Sequence, residues 1–491
     1  MTIFADLRKI AGNQQFASIT SDSRRVKPGA LFLAYPGTHS DGRSYIPQAI
    51  QAGATGVVWE SQGFTWNADW QVSNIGVNGL RPQVSQIAAE YYQYPSSQLT
   101  MIGVTGTNGK TSVSQWLAQC LTLLGQKAAV MGTIGNGFFD AESGGLAEAA
   151  NTTPDAILLQ GMLADFVQQQ ARAAVMEVSS HGLEQGRVNG VDFKVAVFTN
   201  LTRDHLDYHQ TMEAYAAAKQ KLFDWPSLNI AVLNADDGFG QTIANSLKQQ
   251  AKSFVTYGLE HGDVRGSDLQ LHQQGLTMQV TTPQGSATLN APVLGRFNAY
   301  NVLAVLASLL ALDVSLTDAV AVIGQIKPVQ GRMQQFGGNE LPLVVIDYAH
   351  TPDALENVLL TLKEQKPAKL ICVFGCGGNR DAGKRPLMGT VASKLADTVI
   401  VTSDNPRNED PALIIKEVIG GITTAHLVEP DRALAIKQAI QTAQKGDIVL
   451  VAGKGHEDYQ EIAGVKYPFS DAMVAQAALA SYATQRLGAS L

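Results

Sequence analysis

The chain has few cysteines, few charged residues and no long apolar run. Three cysteines in 491 residues are too few for a disulfide framework. Charged residues make up 16% of the chain, and 36 basic against 43 acidic residues give a formal net charge of −7. The charges are spread without long runs of one sign, so composition gives no support for a nucleic-acid partner. No apolar stretch approaches the length of a membrane span, and we expect no membrane span.

The N-terminal residues Met1 to Lys9 lack the apolar core of a signal peptide, so we expect a cytoplasmic protein. Cys120 lies among apolar residues at helical spacing and is expected in the core. Cys372 and Cys376 are four residues apart with no second pair, which is weak support for a metal site. The length and a hydrophobic fraction of 45% predict a globular chain of two to four domains.

Residues 101–112 combine a short apolar strand with a glycine-rich turn that ends in Gly-Lys-Thr. Small residues in such a turn allow backbone N–H groups to converge on phosphate oxygens. Lys110 adds a positive charge, and the Thr111 hydroxyl can reach a magnesium ion. Helical spacing of apolar residues after Ser112 predicts a helix that begins at the loop. Val104 stands where the strict pattern has its first glycine, so a chance glycine-rich turn is the alternative to a nucleoside triphosphate site.

Apolar strands alternate with helical stretches along most of the chain, which predicts the α/β class. We expect a small α/β domain at 1–97, a central domain with a mostly parallel sheet at 98–330, and a third α/β domain at 331–491. The central domain should carry a small antiparallel insertion in 252–290 and a helix at Asn298–Leu312. The predicted strands of the last two domains are Met101–Thr105, Ala128–Met131, Ala173–Val178, Val195–Asn200, Ile230–Asn234, Leu343–Ile346, Leu370–Phe374, Val399–Thr402 and Ile448–Val451.

Polar and glycine-rich segments follow the four predicted strands of the C-terminal domain. They are Asp347–Asp353, Gly375–Asp381, Asp404–Arg407 and Gly453–Glu457. Because ligands bind outside the carboxyl ends of parallel strands, four such segments favour a shared crevice. Each segment alone also fits an ordinary βα loop. The Gly375 segment lacks the sixth-position glycine of a dinucleotide fingerprint, so a nicotinamide cofactor is not predicted.

Two segments of the central domain follow the same rule, namely Glu177–His181 and Asn200–His209. Glu177 could hold a magnesium ion, since hard cations prefer carboxylate oxygen. The acidic and histidine residues of the second segment match no standard zinc spacing. Lys219, on a predicted helix at Ala214–Phe223, is expected from its position alone to be a solvated surface lysine.

Five segments, in chain order, resemble the Mur ligases, which are the ATP-dependent amino-acid-adding enzymes of peptidoglycan synthesis. They are Gly103–Thr111, Glu177–Gly182, Asn200–His209, Gly331–Met333 and Asp347–Asp353. The motifs Asn151-Thr-Thr-Pro and Asp404-Asn-Pro-Arg narrow the resemblance to members that add the third residue, meso-2,6-diaminopimelate. The resemblance covers essentially the whole chain. It implies an N-terminal domain for the UDP-muramoyl dipeptide, a central phosphate-loop ATPase domain, and a mobile, Rossmann-like C-terminal domain for the amino acid.

The resemblance also implies the site residues. ATP would contact Gly106, Thr107, Asn108, Gly109, Lys110, Thr111, Asn298, Arg332, Asp347 and His350. The UDP-muramoyl dipeptide would contact Ser21, Ser23, Thr38, His39, Ser40, Asn151, Thr152, Thr153, Ser179, Gln185 and Arg187. Diaminopimelate would contact Arg380, Asp404, Asn405, Pro406, Arg407, Gly453 and Glu457. Magnesium would be held by Thr111, Glu177, His205 and Lys219, the last as a carbamate formed with CO₂. Catalysis would depend on Lys110, Lys219, Arg332 and His205.

The implied reaction passes through an acyl phosphate on the glutamate γ-carboxylate of the dipeptide, which the incoming amine then attacks. Diaminopimelate differs from lysine by one carboxylate at the far end of its side chain, and an arginine fork can bind that group bidentately. A site built around Arg407 should reject lysine by ~10⁴-fold. The structural alternative for Arg407 is a surface arginine at a helix N-terminus after Pro406.

Three other functions compete with this one. The lysine-adding variant of the ligase lacks the arginine of Asp-Asn-Pro-Arg, and a folylpolyglutamate synthetase has no reason to carry Asn151-Thr-Thr-Pro. A non-catalytic nucleotide switch of the GTPase kind would need an Asn-Lys-x-Asp guanine loop, which the sequence does not contain. We expect a monomer whose partners are its small-molecule substrates.

Overall fold

The computed structural model describes residues 2–12, 15–37, 40–139, 146–147, 149, 151–272 and 275–487. Thr38 and His39, two of the predicted nucleotide contacts, lie outside the described residues. The chain divides into two compact units. The first unit contains residues 1–105, 121–197 and 218–231, and the second contains residues 106–120, 198–217 and 232–491.

The first unit begins with a four-stranded parallel sheet, as expected for a small α/β domain. Its strands, in spatial order, are Ser18–Thr20, Ala30–Ala34, Ala54–Glu60 and Ser73–Val77. Alternate residues of the second strand enter two different cores, with Leu31 and Leu33 on one face and Phe32 and Ala34 on the other. The helices of this region are Ile3–Ile10, Ile46–Gln51 and Val84–Tyr91, with short 3-10 turns at Ser23–Arg25, Gly42–Tyr45, Arg81–Gln83 and Pro95–Gln98.

The predicted parallel strands of the central region are present. Thr100–Thr105 pairs with Ala173–Glu177, which pairs with Ala128–Gly132, and all three are parallel. Gly135–Phe138 adds an antiparallel strand that the sequence did not predict, because two of its four residues are glycines with little strand preference. The remaining elements are strands Phe193–Phe198 and Ile230–Asn234 and helices Lys110–Leu123, Ala156–Gln168, Ser180–Glu184, Leu206–His209 and Met212–Gln220.

The expected antiparallel insertion lies in the second unit. Val264–His272, Gly275–Thr282 and Gly285–Ala291 form an antiparallel meander, and Phe254–Gly258 pairs with the first of these strands in parallel. The helix predicted at Asn298–Leu312 is confirmed as Arg296–Ala311, and it is buried along most of its length. Two further helices, Gly238–Gln249 and Leu316–Ile323, flank this region in sequence.

The C-terminal region is a six-stranded sheet covered on both faces. Its spatial order is Gln334–Gly337, Leu343–Asp347, Ile448–Ala452, Leu370–Phe374, Thr398–Val401 and His426–Val428. Only the first strand runs antiparallel to its neighbour. Helices Pro352–Glu364, Lys384–Leu395 and Pro411–Ile419 supply one core, and Arg432–Thr442 and Asp471–Leu487 supply the other. This is the doubly wound arrangement expected from the sequence, and it places the loops after the strands at one edge.

A two-stranded hairpin, Tyr459–Ile462 with Val465–Pro468, follows the strand Ile448–Ala452 and was not predicted. Both of its strands have four residues, and the second is exposed throughout, so neither strand forms a buried apolar face that would identify it. None of the helices in the described part of the chain is long and apolar enough to cross a membrane.

Candidate active site

The phosphate loop is fastened to the chain that follows strand Phe193–Phe198. The Thr107 N–H donates to the carbonyl of Asn200 at 2.8 Å, and the Thr107 hydroxyl donates to the carbonyl of Thr202 at 3.1 Å. The Thr199 hydroxyl donates to the carbonyl of Asn108 at 2.6 Å. These bonds use polar groups of residues 199–202, so this segment fixes the shape of the loop.

Two glycines of the loop allow its close approach to neighbouring side chains. Gly106 and Gly109 have φ angles of 149° and 85°, which residues with a Cβ atom rarely adopt. A Cβ at Gly106 would overlap the Thr199 hydroxyl, and a Cβ at Gly109 would overlap the amide oxygen of Asn301. The Lys110 ammonium donates to two carbonyls of the loop, each at 2.8 Å. The loop is therefore compact and carries its positive charge folded against its own backbone.

Arg332 reaches the end of the phosphate loop from the start of the C-terminal region. Its guanidinium donates to the Thr111 hydroxyl at 3.0 Å and lies 4.4 Å from the centroid of the Tyr348 ring. Its Nε is buried and has no hydrogen-bond partner among the described residues. Asp347, at the end of strand Leu343–Asp347, accepts from the Met333 N–H at 2.8 Å. Burial raises the pKa of Asp347, although the charge of Arg332 acts in the opposite direction.

Asparagine side chains in and near the loop form further hydrogen bonds. Asn108 donates to the carboxylate of Asp353 at 2.8 Å. Asn301 donates to the amide oxygen of Asn298 at 2.8 Å, and Asn298 donates to the carbonyl of Leu294 at 2.8 Å. Asn298 was predicted as a nucleotide contact, and the structure places it one asparagine away from Gly109. Asn301 and Asp353 were not predicted as site residues.

Asp204 gathers three basic side chains. The Nε2 atoms of His205 and His350 lie 3.4 Å and 3.6 Å from its carboxylate, and Lys384 Nζ lies 3.6 Å away. Burial of Asp204 favours the neutral acid, but His350, His205 and Lys384 outweigh it and hold its pKa well below the usual range. The predicted residues His205 and His350 thus share one buried carboxylate. Lys384, which is also buried, was not predicted.

Glu177 lies in the first unit, where it is 1% exposed. One carboxylate oxygen accepts from the Thr133 N–H at 2.8 Å, and the other accepts from the Thr133 hydroxyl at 3.1 Å. A Cβ at Gly132 would overlap this carboxylate, so the small residue gives Glu177 its space. Glu177 therefore presents buried carboxyl oxygens, which are the type of ligand that Mg²⁺ prefers.

Lys219 is 1% exposed, so its prediction as a solvated surface lysine is wrong. Helix Met212–Gln220 places it on the same face as Tyr215 and Ala218, and Leu222 follows in the turn after the helix; all three are also buried. The spacing of these four residues is i, i+3, i+4 and i+7, the pattern of a core-facing stripe. That pattern was present in the sequence and would have placed Lys219 on the buried face.

The predicted muramoyl-peptide contacts meet around Thr153 in the first unit. The Thr153 hydroxyl accepts from the Ser179 N–H at 2.9 Å, and the carbonyl of Thr153 accepts from Arg187 at 2.8 Å. Arg187 also donates twice to the side-chain oxygen of Gln185, at 2.9 Å and 2.7 Å. Ser179 caps helix Ser180–Glu184. The structure therefore brings four of the predicted residues into one network.

Other members of this set make separate contacts. The Ser23 hydroxyl donates to Gln48 at 3.1 Å, and the hydroxyl of Ser21 hydrogen-bonds Tyr35. Thr152 shares a hydrogen bond of 3.1 Å with Thr133. Ser40 and Asn151 are exposed.

The C-terminal crevice is built around Asn405. Its amide donates to the carboxylate of Glu457 at 2.8 Å and accepts from Lys454 at 2.9 Å. Lys454 also donates to Glu457 at 3.0 Å, and its side chain is fully buried. Gly453 packs so close to Asp404 that a Cβ would lie 2.5 Å from the carboxylate. The segments after strands Thr398–Val401 and Ile448–Ala452 are therefore one bonded structure, to which Lys454 contributes without having been predicted.

Arg407 connects this bonded structure to the segment that follows strand Leu370–Phe374. Its guanidinium donates to the carbonyl of Gly378 at 2.8 Å, and its Nε lies 3.3 Å from the carboxylate of Glu461. The side chain is 18% exposed, and the next helix begins only at Pro411, so the alternative of a surface arginine at a helix N-terminus is wrong. Arg380 is exposed and donates to the carbonyl of its neighbour Asn379.

Pro406 and Tyr348 complete the crevice. The carbonyl of Pro406 lies so close to Gly378 that a Cβ there would overlap it. The Tyr348 ring lies 5.3 Å from the ring of His456, which connects the segment after strand Leu343–Asp347 to the segment that contains Glu457. All four predicted loop segments therefore meet at the carboxyl edge of this sheet.

One further cluster of possible metal ligands occurs in the described part of the chain, formed by Asp236, Glu260 and His261. The Asp236 carboxylate accepts from the backbone N–H groups of Leu259, Glu260 and His261. Its oxygens are used to hold a turn, which is a structural role. Cys372 and Cys376 are buried free thiols, so the weak metal interpretation of this pair gains no support.

Comparison with known proteins matches three family models along the chain. Residues 15–92 match the Mur ligase family catalytic domain, 104–309 the Mur ligase middle domain, and 331–455 the Mur ligase glutamate ligase domain. The chain is 55% identical over 468 residues to the UDP-N-acetylmuramoyl-L-alanyl-D-glutamate--2,6-diaminopimelate ligase of Chromobacterium violaceum, with 94% of each chain covered. It is 50% identical over 485 residues to the protein of the same name from Nitrosomonas europaea, covering 94% of this chain and 92% of that protein.

Solved structures of Mur ligases also match this chain. A structure of a UDP-N-acetylmuramoyl-L-alanyl-D-glutamate--2,6-diaminopimelate ligase is 39% identical, with a TM-score of 0.69 over 97% of this chain and 98% of the other. A MurF ligase from Thermotoga maritima in complex with ADP is 18% identical, with a TM-score of 0.66 and full coverage of both chains. The second likeness supports the fold alone.

Proposed function

The chain belongs to the Mur ligase family, and from that premise we propose that it joins meso-2,6-diaminopimelate to UDP-N-acetylmuramoyl-L-alanyl-D-glutamate at the expense of ATP. The observation that carries the choice of amino acid is Arg407. Its side chain is 18% exposed, and its guanidinium is held at the carboxyl edge of the C-terminal sheet by the Gly378 carbonyl and the Glu461 carboxylate. The relatives that are about half identical to this chain carry diaminopimelate in their names.

The chemistry requires anionic groups to be brought together. A γ-carboxylate oxygen of the dipeptide attacks the γ-phosphorus of ATP, and the bond to ADP breaks. The amine of diaminopimelate then attacks the acyl carbon, and phosphate leaves as the nitrogen loses a proton. Such steps depend on positioning and charge compensation rather than on a protein nucleophile. Lys110 in the phosphate loop and Arg332 beside Thr111 are the groups placed to supply positive charge.

We place magnesium ligands in both units. Glu177 offers a buried carboxylate in the first unit, and Lys219 on its buried helix face would add an anionic oxygen once converted to a carbamate by CO₂. In the second unit, the Thr111 hydroxyl and His205 are the candidate ligands. Magnesium held by either set of ligands would neutralise phosphate charge.

The dipeptide substrate belongs with the network around Thr153. Ser179, Gln185 and Arg187 present a hydroxyl, an amide and a guanidinium there, and such groups suit a peptide that carries carboxylates. The uridine side would lie with Ser21, Ser23 and Ser40. We also propose that the protein is a monomer and that it acts in the cytoplasm on these small-molecule substrates.

The test measures phosphate release with ATP, magnesium and UDP-N-acetylmuramoyl-L-Ala-D-Glu, with either meso-diaminopimelate or L-lysine. We expect release with diaminopimelate, at ~10⁴-fold higher kcat/KM than with lysine, because a lysine substrate leaves the Arg407 fork without its carboxylate. The variant Arg407→Ala should lose about a hundredfold in kcat/KM for diaminopimelate.

The matched control is Arg265→Ala, which removes an exposed arginine outside the proposed sites. It should leave kcat/KM unchanged for both amino acids. Equal release with lysine would keep the ligase and overturn the role of Arg407. No release with either amino acid would overturn the proposed function as a whole.

A further inference from the structure

The hairpin Tyr459–Pro468 is bonded to the loop that carries Arg407. The Arg407 N–H donates to the carbonyl of Glu461 at 3.0 Å, and the Ala463 N–H donates to the carbonyl of Arg407 at 2.7 Å. The Glu461 N–H donates in turn to the side-chain oxygen of Asn405 at 2.9 Å. Arg407 has a φ of 51°, an uncommon conformation for a residue with a side chain. The hairpin therefore holds this backbone in place through bonds on both sides of Arg407.

The side chain of Glu461 continues this contact to the guanidinium of Arg407. Its carboxylate lies 3.3 Å from Nε, while the opposite end of the guanidinium donates to the carbonyl of Gly378 at 2.8 Å. The two side chains are 18% and 26% exposed. A guanidinium has five N–H donors. Contacts at two points of one planar group fix its plane and leave donors for a ligand carboxylate.

We propose that Glu461 is a positioning residue that orients the Arg407 fork for the far carboxylate of the incoming amino acid. An arginine side chain loses rotamer entropy when it is held in one conformation. Fixing the fork before binding removes that cost from the binding step, so affinity rises without a new contact to the ligand. Glu461 itself touches Arg407 and not the reacting atoms. The inference rests on the proposed function, since it concerns an amino-acid substrate that carries a distal carboxylate.

The first experiment measures the kinetics of Glu461→Ala. We expect KM for meso-diaminopimelate to rise about tenfold, with kcat within twofold and the KM values for ATP and the dipeptide nucleotide unchanged. Glu461→Gln should restore part of the affinity, because its amide oxygen keeps a polar atom beside Nε while the negative charge is lost. Glu340→Ala is the matched control, since Glu340 pairs with Lys445 on the surface of the same region and is 78% exposed. If the alanine variant does not fold, Glu461→Met repeats the test with a side chain of similar length.

The second experiment is a double-mutant cycle. Because Glu461 acts through Arg407, the variant Arg407→Ala/Glu461→Ala should have the same kcat/KM as Arg407→Ala alone. A glutamate that merely supports the hairpin would lower kcat/KM by the same factor in both backgrounds. That result would overturn the proposal, as would a KM for diaminopimelate that is unchanged or lower in Glu461→Ala. Absence of phosphate release from the unmodified protein would instead show that the proposed function has failed, and this inference with it.

Discussion

At the scale of single residues, the phosphate loop depends on the absence of a side chain at Gly109. We predict that Gly109→Ala raises KM for ATP at least tenfold, because the added Cβ would overlap the amide oxygen of Asn301 and displace the loop. The φ of 85° adds a strain of ~1 kcal/mol. The measurement is ATP-dependent phosphate release at saturating dipeptide and amino acid, together with ATP titration by calorimetry.

Gly125→Ala is the control for this prediction. Gly125 follows the helix that begins at the loop, and it has a similar φ of 78° with no atom within 4 Å of an added Cβ. It therefore reproduces the backbone strain without the overlap, and its KM for ATP should stay within twofold of the unmodified protein. Equal losses in the two variants would attribute the effect to strain alone and contradict the role assigned to Asn301.

The residues that sequence reasoning missed share a physical reason. The Asp204 carboxylate lies near His205 and also near Lys384 and His350, which are far away in the chain. Sequence spacing cannot show such a pairing, because it follows from tertiary packing. Lys219 is the opposite case. Its burial follows from its helical spacing with Tyr215 and Leu222, which are also buried. The prediction of an exposed side chain relied instead on the general preference of lysine for the surface.

At the scale of elements, two helices of the C-terminal region are joined by one buried ion pair. Arg432 and Asp471 are the first residues of helices Arg432–Thr442 and Asp471–Leu487. Both side chains are fully buried, and Arg432 Nη2 lies 2.7 Å from the Asp471 carboxylate. Arg432 also donates to the carbonyl of Ala452 at 2.9 Å, at the end of a central strand. We predict that Asp471→Asn destabilises this region by ~3–5 kcal/mol, because it leaves an uncompensated buried guanidinium. The measurement is urea unfolding followed by circular dichroism.

An exposed ion pair in the same region provides the comparison. Lys445 and Glu340 approach to 2.6 Å, but they are 62% and 78% exposed. Glu340→Ala should therefore change the free energy of unfolding by less than ~1 kcal/mol. A loss as large as that of Asp471→Asn would mean that desolvation of Arg432 is not the source of the effect.

The long parallel strands were predictable to within two residues, because they are continuous apolar runs bounded by glycine or polar residues. Strand Leu370–Phe374 is found at its predicted position, and Phe193–Phe198 is displaced by two residues from its prediction. The hairpin Tyr459–Pro468 could not be predicted in this way. Its residues pair with each other and with the Arg407 loop through backbone groups, and backbone bonding has no side-chain signature. The most specific part of the candidate amino-acid site therefore depends on an element that the sequence pattern does not reveal.

At the scale of the whole molecule, three buried thiols connect its stability to pH. Burial raises the pKa of Cys120, Cys372 and Cys376 from 9.0 to about 12. In the unfolded chain the thiols lose their protons near pH 9, whereas the folded chain keeps them. The unfolded state then binds fewer protons, so the free energy of unfolding falls as pH rises. This contribution is complete below pH 9 and is lost between about pH 9 and pH 12.

We predict that Cys372→Ala reduces the fall in the free energy of unfolding with rising pH. Removing one thiol removes one proton from the difference in bound protons between the folded and unfolded states. Each thiol can contribute up to ~1.4 kcal/mol per pH unit within that range. The measurement compares urea unfolding of the unmodified protein and the variant at pH 8.5 and pH 10.5. Alanine at this strand position also leaves a small cavity, which lowers stability equally at both pH values and cancels in the difference. Lysine and tyrosine side chains titrate in both proteins and cancel as well, so an equal loss in the two proteins would exclude Cys372 as a source of the pH dependence.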